Sequence, residues 1–474
     1  MGNGLTLDPT ILREYDIRGL VAKNLGPDQV RAIGRAFGSV VVESVGEENK
    51  IPVVAVGYDG RLSSPELEEA LVEGLCACGV SVRCVGLGPT PMLYYAAHEL
   101  NADGAMMITG SHNPPEYNGV KMMLGHDSFY GEEILALGQR IAAGNFASGD
   151  GDAITIDLQD DYIQRMLEDL ETDTEMTVAW DPGNGASGEI VRRLVNFLPG
   201  EHHLINAEID GNFPNHHPDP TVEKNLAQLK KVVAEKGCDL GIGFDGDGDR
   251  IGVVDAKGGV LWGDQLMVLF AREVLASCPG APIISEVKAS KVLFDEIAKA
   301  GGEPIMWKAG HSLIKAKMAE TNSPFAGEMS GHIFFADKYY GFDDAIYSAI
   351  RLLSILGQTS GSLTVIRDAL PQMMNTPELR FDCPEDRKFA VIDEVKVRLA
   401  SEDGVTVHDI DGVRVENEDG WWLLRASNTQ AVLVARCESA TEDGLDKLKH
   451  TVGAQLIASG LEPPAARPDD VGCW

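Results

Sequence analysis

Val53-Val-Ala-Val-Gly-Tyr-Asp59-Gly-Arg-Leu-Ser-Ser64-Pro65 holds the start of an α/β unit in one short run. A β-branched apolar stretch ends in an acid and a short loop follows. Pro65 suits the first turn of a helix, with Ser64 as its cap. Leu67, Ala70, Leu71, Gly74 and Leu75 then recur at helical spacing, and Gly79 ends the helix before the strand Val80-Ser-Val-Arg-Cys-Val85. Two strands joined through a helix pair in parallel, because parallel neighbours need a long crossover. The same grammar begins again at Thr177-Val-Ala-Trp-Asp181, with a helix over Ile190 to Phe197. It begins a third time at Pro282-Ile-Ile-Ser-Glu286, with a helix over about Lys291 to Ala300 and a strand at Pro304-Ile-Met-Trp307. Three such units predict three related α/β domains.

The last hundred residues read differently. Val405 to Val415 and Trp421 to Glu438 suggest hairpins, and a helix follows from about Asp443 to Ala458. This predicts a smaller C-terminal α+β domain. The expected division is residues 1–152, 153–259, 260–370 and 371–474, and a chain of 474 residues has room for three to four domains at roughly 150 residues each.

Forty basic residues against 73 acidic give a net charge of −33, which argues against nucleic acid and anionic membrane as partners. No apolar run approaches the ~18 residues of a membrane span. No basic segment followed by an apolar one opens the chain, so a cytoplasmic location is expected. The eight cysteines form no C-x-x-C pair and mostly sit in apolar segments, which predicts reduced thiols. No obligate protein partner is inferred. An anionic ligand needs only a local group of cations, and Lys308-Ala-Gly-His-Ser-Leu-Ile-Lys-Ala-Lys317 offers one with no acid inside it.

Four short stretches carry chemistry. In Thr109-Gly-Ser-His-Asn-Pro-Pro-Glu116 the prolines forbid a helix after the apolar strand Gly104 to Thr109. The strand ends in a rigid loop with Ser111 at its tip, a way to hold a nucleophile still. Thr109 and Asn113 stand where a G-x-S-x-G elbow needs glycines. Neighbouring side chains do not ordinarily converge, so His112 is not expected to be the base for Ser111. In Asp245-Gly-Asp-Gly-Asp-Arg250, flanked by strands, three carboxylates at alternate positions repel one another unless a hard cation sits among them. An EF-hand is excluded, since Arg250 and Ala256 stand where it needs Gly and Glu. Few ligands with open positions suit Mg²⁺ shared with a phosphate. Gly327-Glu-Met-Ser-Gly-His332 offers a carboxylate, a hydroxyl and an imidazole between glycines, suited to hydroxyl recognition and proton transfer. Arg425-Ala-Ser-Asn-Thr-Gln430 places a guanidinium and three small donors on a turn between strands, suited to an anion.

Taken in order, T-G-S-H-N-P-P-E-Y-N-G, D-G-D-G-D-R, G-E-M-S-G-H and R-A-S-N-T closely resemble the α-D-phosphohexomutase family, most of all its bacterial phosphomannomutase/phosphoglucomutase branch. The resemblance runs from Arg13-Glu-Tyr-Asp-Ile-Arg-Gly19 to the C-terminal hairpin. It implies three α/β domains and one α+β domain around a central cleft. It implies an intramolecular phosphotransferase that interconverts hexose 1-phosphate and hexose 6-phosphate, of mannose, glucose or both. Ser111 would carry the phosphoryl group and join Asp245, Asp247 and Asp249 in holding Mg²⁺. Glucose 1,6-bisphosphate or an equivalent would be intermediate and activator. Lys121 and His332 match proton-transfer groups, and Arg250 and Arg18 match catalytic cations near the nucleophile. Tyr15, Lys288 and His311 match residues of the cleft wall. Glu328 and Ser330 match the sugar-binding pair. Arg425, Ser427, Asn428 and Thr429 match a clamp on the non-reacting phosphate. Within the family the alternative is phosphoglucosamine mutase, from whose usual pattern Thr109-Gly110, Met329 and Asn428 depart. Outside catalysis the alternative is a sugar-phosphate-binding paralogue, which loss of the serine or an aspartate would favour. A phosphoserine phosphatase-like hydrolase is a third, marked by phosphate release without need of a bisphosphate.

Overall fold

A computed structural model describes residues 5–46, 50–400, 402–427 and 431–461 of the chain, and four sheets succeed one another along it. In the first, Val53–Tyr58 lies at the centre, parallel to Ser81–Leu87 on one side and Gly104–Ile108 on the other. Tyr117–Leu124 then returns antiparallel to Gly104–Ile108. The second sheet repeats this plan. Met176–Asp181 sits between Gly200–Leu204 and Leu240–Phe244, and Ile251–Asp255 returns against the latter. The third repeats it again, with Pro282–Glu286 between Glu303–Trp307 and Phe325–Gly327, and Ile333–Phe335 returning. The predicted repeat is therefore present, and it is two strands longer than the sequence pattern indicates, the last of them an antiparallel return.

That returning strand matters for the site. Parallel strands need helical crossovers, but an antiparallel return needs only a short loop. Each unit thus has one tight connection, at the carboxyl end of its third strand, the edge where ligands of open α/β sheets bind. The three connections are residues 109–116, 245–250 and 328–332, which carry Ser111, the three aspartates, and Glu328 to His332.

The fourth sheet is antiparallel, built from Met374–Asn375, Leu379–Asp382, Thr406–His408, Val413–Asn417, Gly420–Ala426 and Val432–Ser439. Helices Lys388–Leu399 and Glu442–Ala458 complete its own core, with Val391, Val395, Leu448 and Val452 against Trp422 and Leu424. One apolar core joins the first three domains, running from Ala55 to Leu370 with Trp180 stacked on Phe244. The last domain docks through Trp421 and Leu423 on Val287.

Two local expectations change. Ala153–Thr155 pairs with Ser81–Leu87, so the first sheet reaches past residue 152, where the sequence division was drawn. Ser64 opens the helix Ser64–Cys76 but does not cap it. Its hydroxyl donates to Asp59 Oδ1 at 2.6 Å, because a buried carboxylate is a stronger acceptor than solvent.

Candidate active site

The Ser111 loop leaves its strand through a left-handed residue: Ser111 has φ of +48°. That turn directs the side chain inward, so Ser111 is 3% exposed and not a solvated tip. It also brings His112 within reach of Ser111, although adjacent side chains ordinarily diverge. Ser111 Oγ lies 3.1 Å from His112 Nδ1 and 3.1 Å from Asp245 Oδ2, because the positive φ swings neighbouring side chains to one side. Burial, then the nearby Arg250 and Arg18, hold the His112 imidazole well below its ordinary pKa, so it is neutral.

Asp245, Asp247 and Asp249 are fully buried, with carboxylate oxygens within 4.8 Å of one another. Asp245 Oδ1 accepts the backbone N–H groups of Asp249 and Arg250, at 3.1 and 3.2 Å, which curls the loop. Asp247 Oδ2 accepts from Thr90 Oγ1 at 2.6 Å and Lys121 Nζ at 2.8 Å, and Lys121 also bonds Asp249. Burial, then Asp249 and Asp247, push the Asp245 carboxyl well above its usual range. Burial opposes ionisation of Asp247 too, but Lys121 outweighs it and holds that carboxyl far below its usual range. Burial likewise opposes the charge of Lys121, and Asp247 and Asp249 prevail, keeping it cationic. Asp247 Oδ1 and Asp249 Oδ1 have no hydrogen-bond partner among the described residues. Buried carboxylate oxygens without partners are costly, and an all-oxygen donor set fits a hard divalent cation. The buried triad can therefore hold a metal ion.

The third domain meets this centre through His332. Arg250 Nε donates to His332 Nε2 at 3.0 Å, and His332 Nδ1 lies 2.9 Å from Asp343 Oδ2. His311 stacks on His332 with ring centres 5.4 Å apart, and its Nδ1 is 3.8 Å from the same Asp343 oxygen. Glu328 Oε1 accepts the N–H of Gly310 at 2.7 Å, which fixes one carboxylate oxygen beside His311. Ser330 is half-buried next to it. From the first domain, Tyr15 donates to the carbonyl of Ala309 at 2.7 Å, and Arg18 donates to Asn113 Oδ1 in the serine loop at 2.9 Å.

The fourth domain closes the ring. Arg425 pairs with Asp411 at 2.9 Å, and the same Asp411 oxygen accepts the N–H of Ala309 at 3.1 Å. Lys288 Nζ sits 3.5 Å from Glu378 of this domain. Ser427 is buried, with its N–H donating to Val432 O at 3.0 Å. Asn428 and Thr429 lie outside the described residues. Within residues 308–317 the expected cation group is dispersed: Lys315 pairs with Asp343 and Lys317 with Glu320. The cations that converge are instead Arg18, Lys121, Arg250, Lys288 and Arg425, drawn from all four domains. Most of them are held by a carboxylate partner, as Lys121 is by Asp247 and Asp249 and Arg425 by Asp411.

Sequence reasoning passes over Thr90, Asp343 and Asp411. Asp343-Asp344 carries one faint signal, two acids before an apolar helix where one cap suffices. Asp344 is that cap, accepting the N–H of Tyr347, and Asp343 is left to face His332.

The comparisons with known proteins agree with this arrangement. The phosphoglucomutase/phosphomannomutase family models match in four blocks. The three α/β/α domains match at residues 9–146, 160–259 and 262–374, and the C-terminal domain at 378–454. The phosphomannomutase/phosphoglucomutase of Pseudomonas aeruginosa is 45% identical over 453 residues, 96% of each chain. The phosphoglucomutase of Neisseria gonorrhoeae is 41% identical, covering 94% of this chain and 96% of its own. A crystal structure of a phosphoglucomutase/phosphomannomutase family protein from Burkholderia thailandensis superposes with a TM-score of 0.90 at 41% identity, covering 96% of this chain and 98% of that one. With all four domains matched in order and their connecting loops meeting around one buried serine, the chain belongs to the phosphoglucomutase/phosphomannomutase family of α-D-phosphohexomutases.

Proposed function

We propose that this phosphohexomutase interconverts the 1- and 6-phosphates of glucose and mannose, with Ser111 carrying the phosphoryl group between the two ends of the sugar. The observation that carries this reading is Ser111 Oγ, buried and 3.1 Å from Asp245 of the metal loop, with Lys121 bridging the other two aspartates. Phosphoryl transfer asks a protein mainly for positioning and charge stabilisation, and this centre is built for both. Asp245, Asp247, Asp249 and Ser111 would hold Mg²⁺, whose contribution is to neutralise charge on the phosphoryl oxygens.

In the forward half-reaction the bond from Ser111 Oγ to phosphorus breaks and a bond from the sugar O6 to phosphorus forms. The sugar hydroxyl loses a proton and Ser111 regains one. His332, whose Nδ1 faces Asp343, is placed to take the proton the sugar loses, and Lys121, already protonated beside two aspartates, to give the proton Ser111 regains. The resulting 1,6-bisphosphate reverses in the cleft and returns its other phosphate to Ser111. Glucose 1,6-bisphosphate would likewise re-arm a dephosphorylated enzyme. Arg18 and Arg250 line the serine side, while Tyr15, Lys288 and His311 form the wall. Glu328 and Ser330 read the sugar, and Arg425 with residues 427–429 takes the non-reacting phosphate. The seven described cysteines are free thiols, in keeping with a cytoplasmic enzyme.

Intact mass before and after incubation with glucose 1,6-bisphosphate, with a coupled assay on glucose 1-phosphate and mannose 1-phosphate, tests the reading. A single phosphoryl gain on wild-type protein, absent in Ser111→Ala, with loss of nearly all turnover in that variant, is expected. Wild-type-like turnover by Ser111→Ala would sink it.

A further inference from the structure

Directly beneath the serine loop lies Arg61, its side chain wholly buried. A guanidinium has five N–H donors in a fixed fork. In Arg61 each of the five meets an acceptor. Nη2 donates to the carbonyls of Ser111 at 2.8 Å and Asn113 at 2.6 Å. Nη1 donates to those of Pro114 at 2.6 Å and Tyr117 at 2.9 Å. Nε donates to Asp59 Oδ2 at 3.1 Å. Four carbonyls aimed at one point repel one another, and a planar cation that bonds all four at once makes the loop's curl stable.

Asp59 anchors this device at both ends. Its carboxylate accepts the backbone N–H of Arg61 at 3.1 Å and that of Gly110 at 3.0 Å, and Thr109 Oγ1 lies 2.9 Å away. The loop fits so closely that a Cβ on Gly110 would stand 2.2 Å from Arg61 Cζ. From the second domain, Phe213 covers the guanidinium, with its ring centre 5.3 Å from Cζ. A side chain at φ of +48° is intrinsically disfavoured, so something outside Ser111 must hold it there.

We propose that Arg61, braced by Asp59, is the positioning residue for the nucleophile: it sets the backbone of Ser111 and so aims Oγ at the metal loop. With all five donors bonded to the loop and to Asp59, Arg61 touches neither sugar nor phosphoryl group, and it acts only through Ser111. The proposal rests on the reading of Ser111 as phosphoryl carrier.

Arg61→Lys, Arg61→Met and Gly110→Ala, made in the full chain, test it. Lysine keeps the charge but is a point donor that cannot span four carbonyls. Gly110→Ala pushes on the guanidinium without removing it. Turnover is measured per phosphorylated site, with phosphoenzyme counted by intact mass, together with KM for glucose 1-phosphate and the melting temperature. Misplacing a reacting atom by about 1 Å costs on the order of 100-fold in rate, so kcat per phosphorylated site should fall by about that much in folded Arg61→Lys and Gly110→Ala. KM should stay within about threefold, since the sugar contacts come from other loops. A purely architectural role would lower melting temperature and the number of competent sites but leave turnover per phosphorylated site unchanged. That result in both variants overturns the proposal, as does a loss that falls on KM and not on kcat. Should Arg61→Met not fold, the other two variants decide. Ser111→Ala separates the levels. If it is inactive while Arg61→Lys turns over normally, only the positioning role fails. If it is active, the carrier reading fails.

Discussion

One backbone contact fixes the Glu328 carboxylate in a way that suits selective reading of a ligand. Gly310 N–H holds Oε1 at 2.7 Å, and the residue is buried. In the proposed function its other oxygen reads O3 and O4, which glucose and mannose share. Galactose inverts O4 and would leave a buried charged acceptor without its donor. That is worth roughly 1.5–3 kcal/mol, or on the order of 10–150-fold in kcat/KM against galactose 1-phosphate. Glu328→Gln should weaken glucose and mannose 1-phosphates by similar factors. Comparable rates with galactose 1-phosphate, or a loss confined to one of the two good substrates, would refute the shared edge. A second residue is legible through its titration. Burial pushes the Asp344 carboxyl up to about 6, although Tyr347 N–H, Tyr162 and Tyr339 bond it. The folded protein therefore holds this proton more tightly than the unfolded chain, so the contribution of Asp344 to stability falls as pH rises from about 4 to about 6 and is constant above. Asp344→Asn keeps an acceptor for the tyrosines and removes that titration. Its stability relative to wild type should rise across the same window by about 3 kcal/mol, read by urea unfolding at pH 4 and pH 7.5.

In the proposed function, the tight return between the third and fourth strands of each α/β unit is the element that carries the chemistry. It recurs as the serine loop, the aspartate loop and the Glu328 loop. In the aspartate loop, Lys121 already supplies positive charge to Asp247 and Asp249. The loop is thus tolerable to the fold without an ion, unlike a structural site whose binding energy is folding energy. Chelation should abolish turnover, added Mg²⁺ should restore it, and the melting temperature should move by no more than about 3 °C, of the order of 1 kcal/mol for a chain this long. A collapse of the fold on chelation would show a structural metal instead.

Four domains enclose the centre, and two contacts at Ala309 link three of them. Tyr15 of the first domain bonds its carbonyl, and Asp411 of the fourth accepts its N–H while holding Arg425. The same Asp411 that docks the last domain on Ala309 thus also aims its guanidinium, and in the proposed function this would help exclude water from phosphoryl transfer. Arg425→Ala should raise KM for glucose 1-phosphate by on the order of 10–150-fold, the worth of a charged hydrogen bond to the phosphate. An unchanged KM would remove the clamp from the fourth domain.

Much of this was legible in one dimension because it depends on neighbours in sequence. Strand and helix periodicity announced three α/β units, the prolines after Asn113 announced a loop, and alternating aspartates pointed to a triad able to hold a metal ion. The resemblance of four ordered motifs to one family then assigned the chemistry. What stayed hidden depends on groups far apart in the chain. Asp343, Asp411 and Thr90 look like ordinary caps and turns until packing brings them to His332, Arg425 and Asp247. The lysines of residues 308–317 look like an anion site until Asp343 and Glu320 neutralise two of them. His112 looked unable to reach Ser111 because adjacent side chains diverge in ordinary backbone, and a single φ of +48° reverses that geometry. Local sterics can be read along the chain. Which buried charge finds which partner is settled by desolvation and packing, and those act only once the four domains meet.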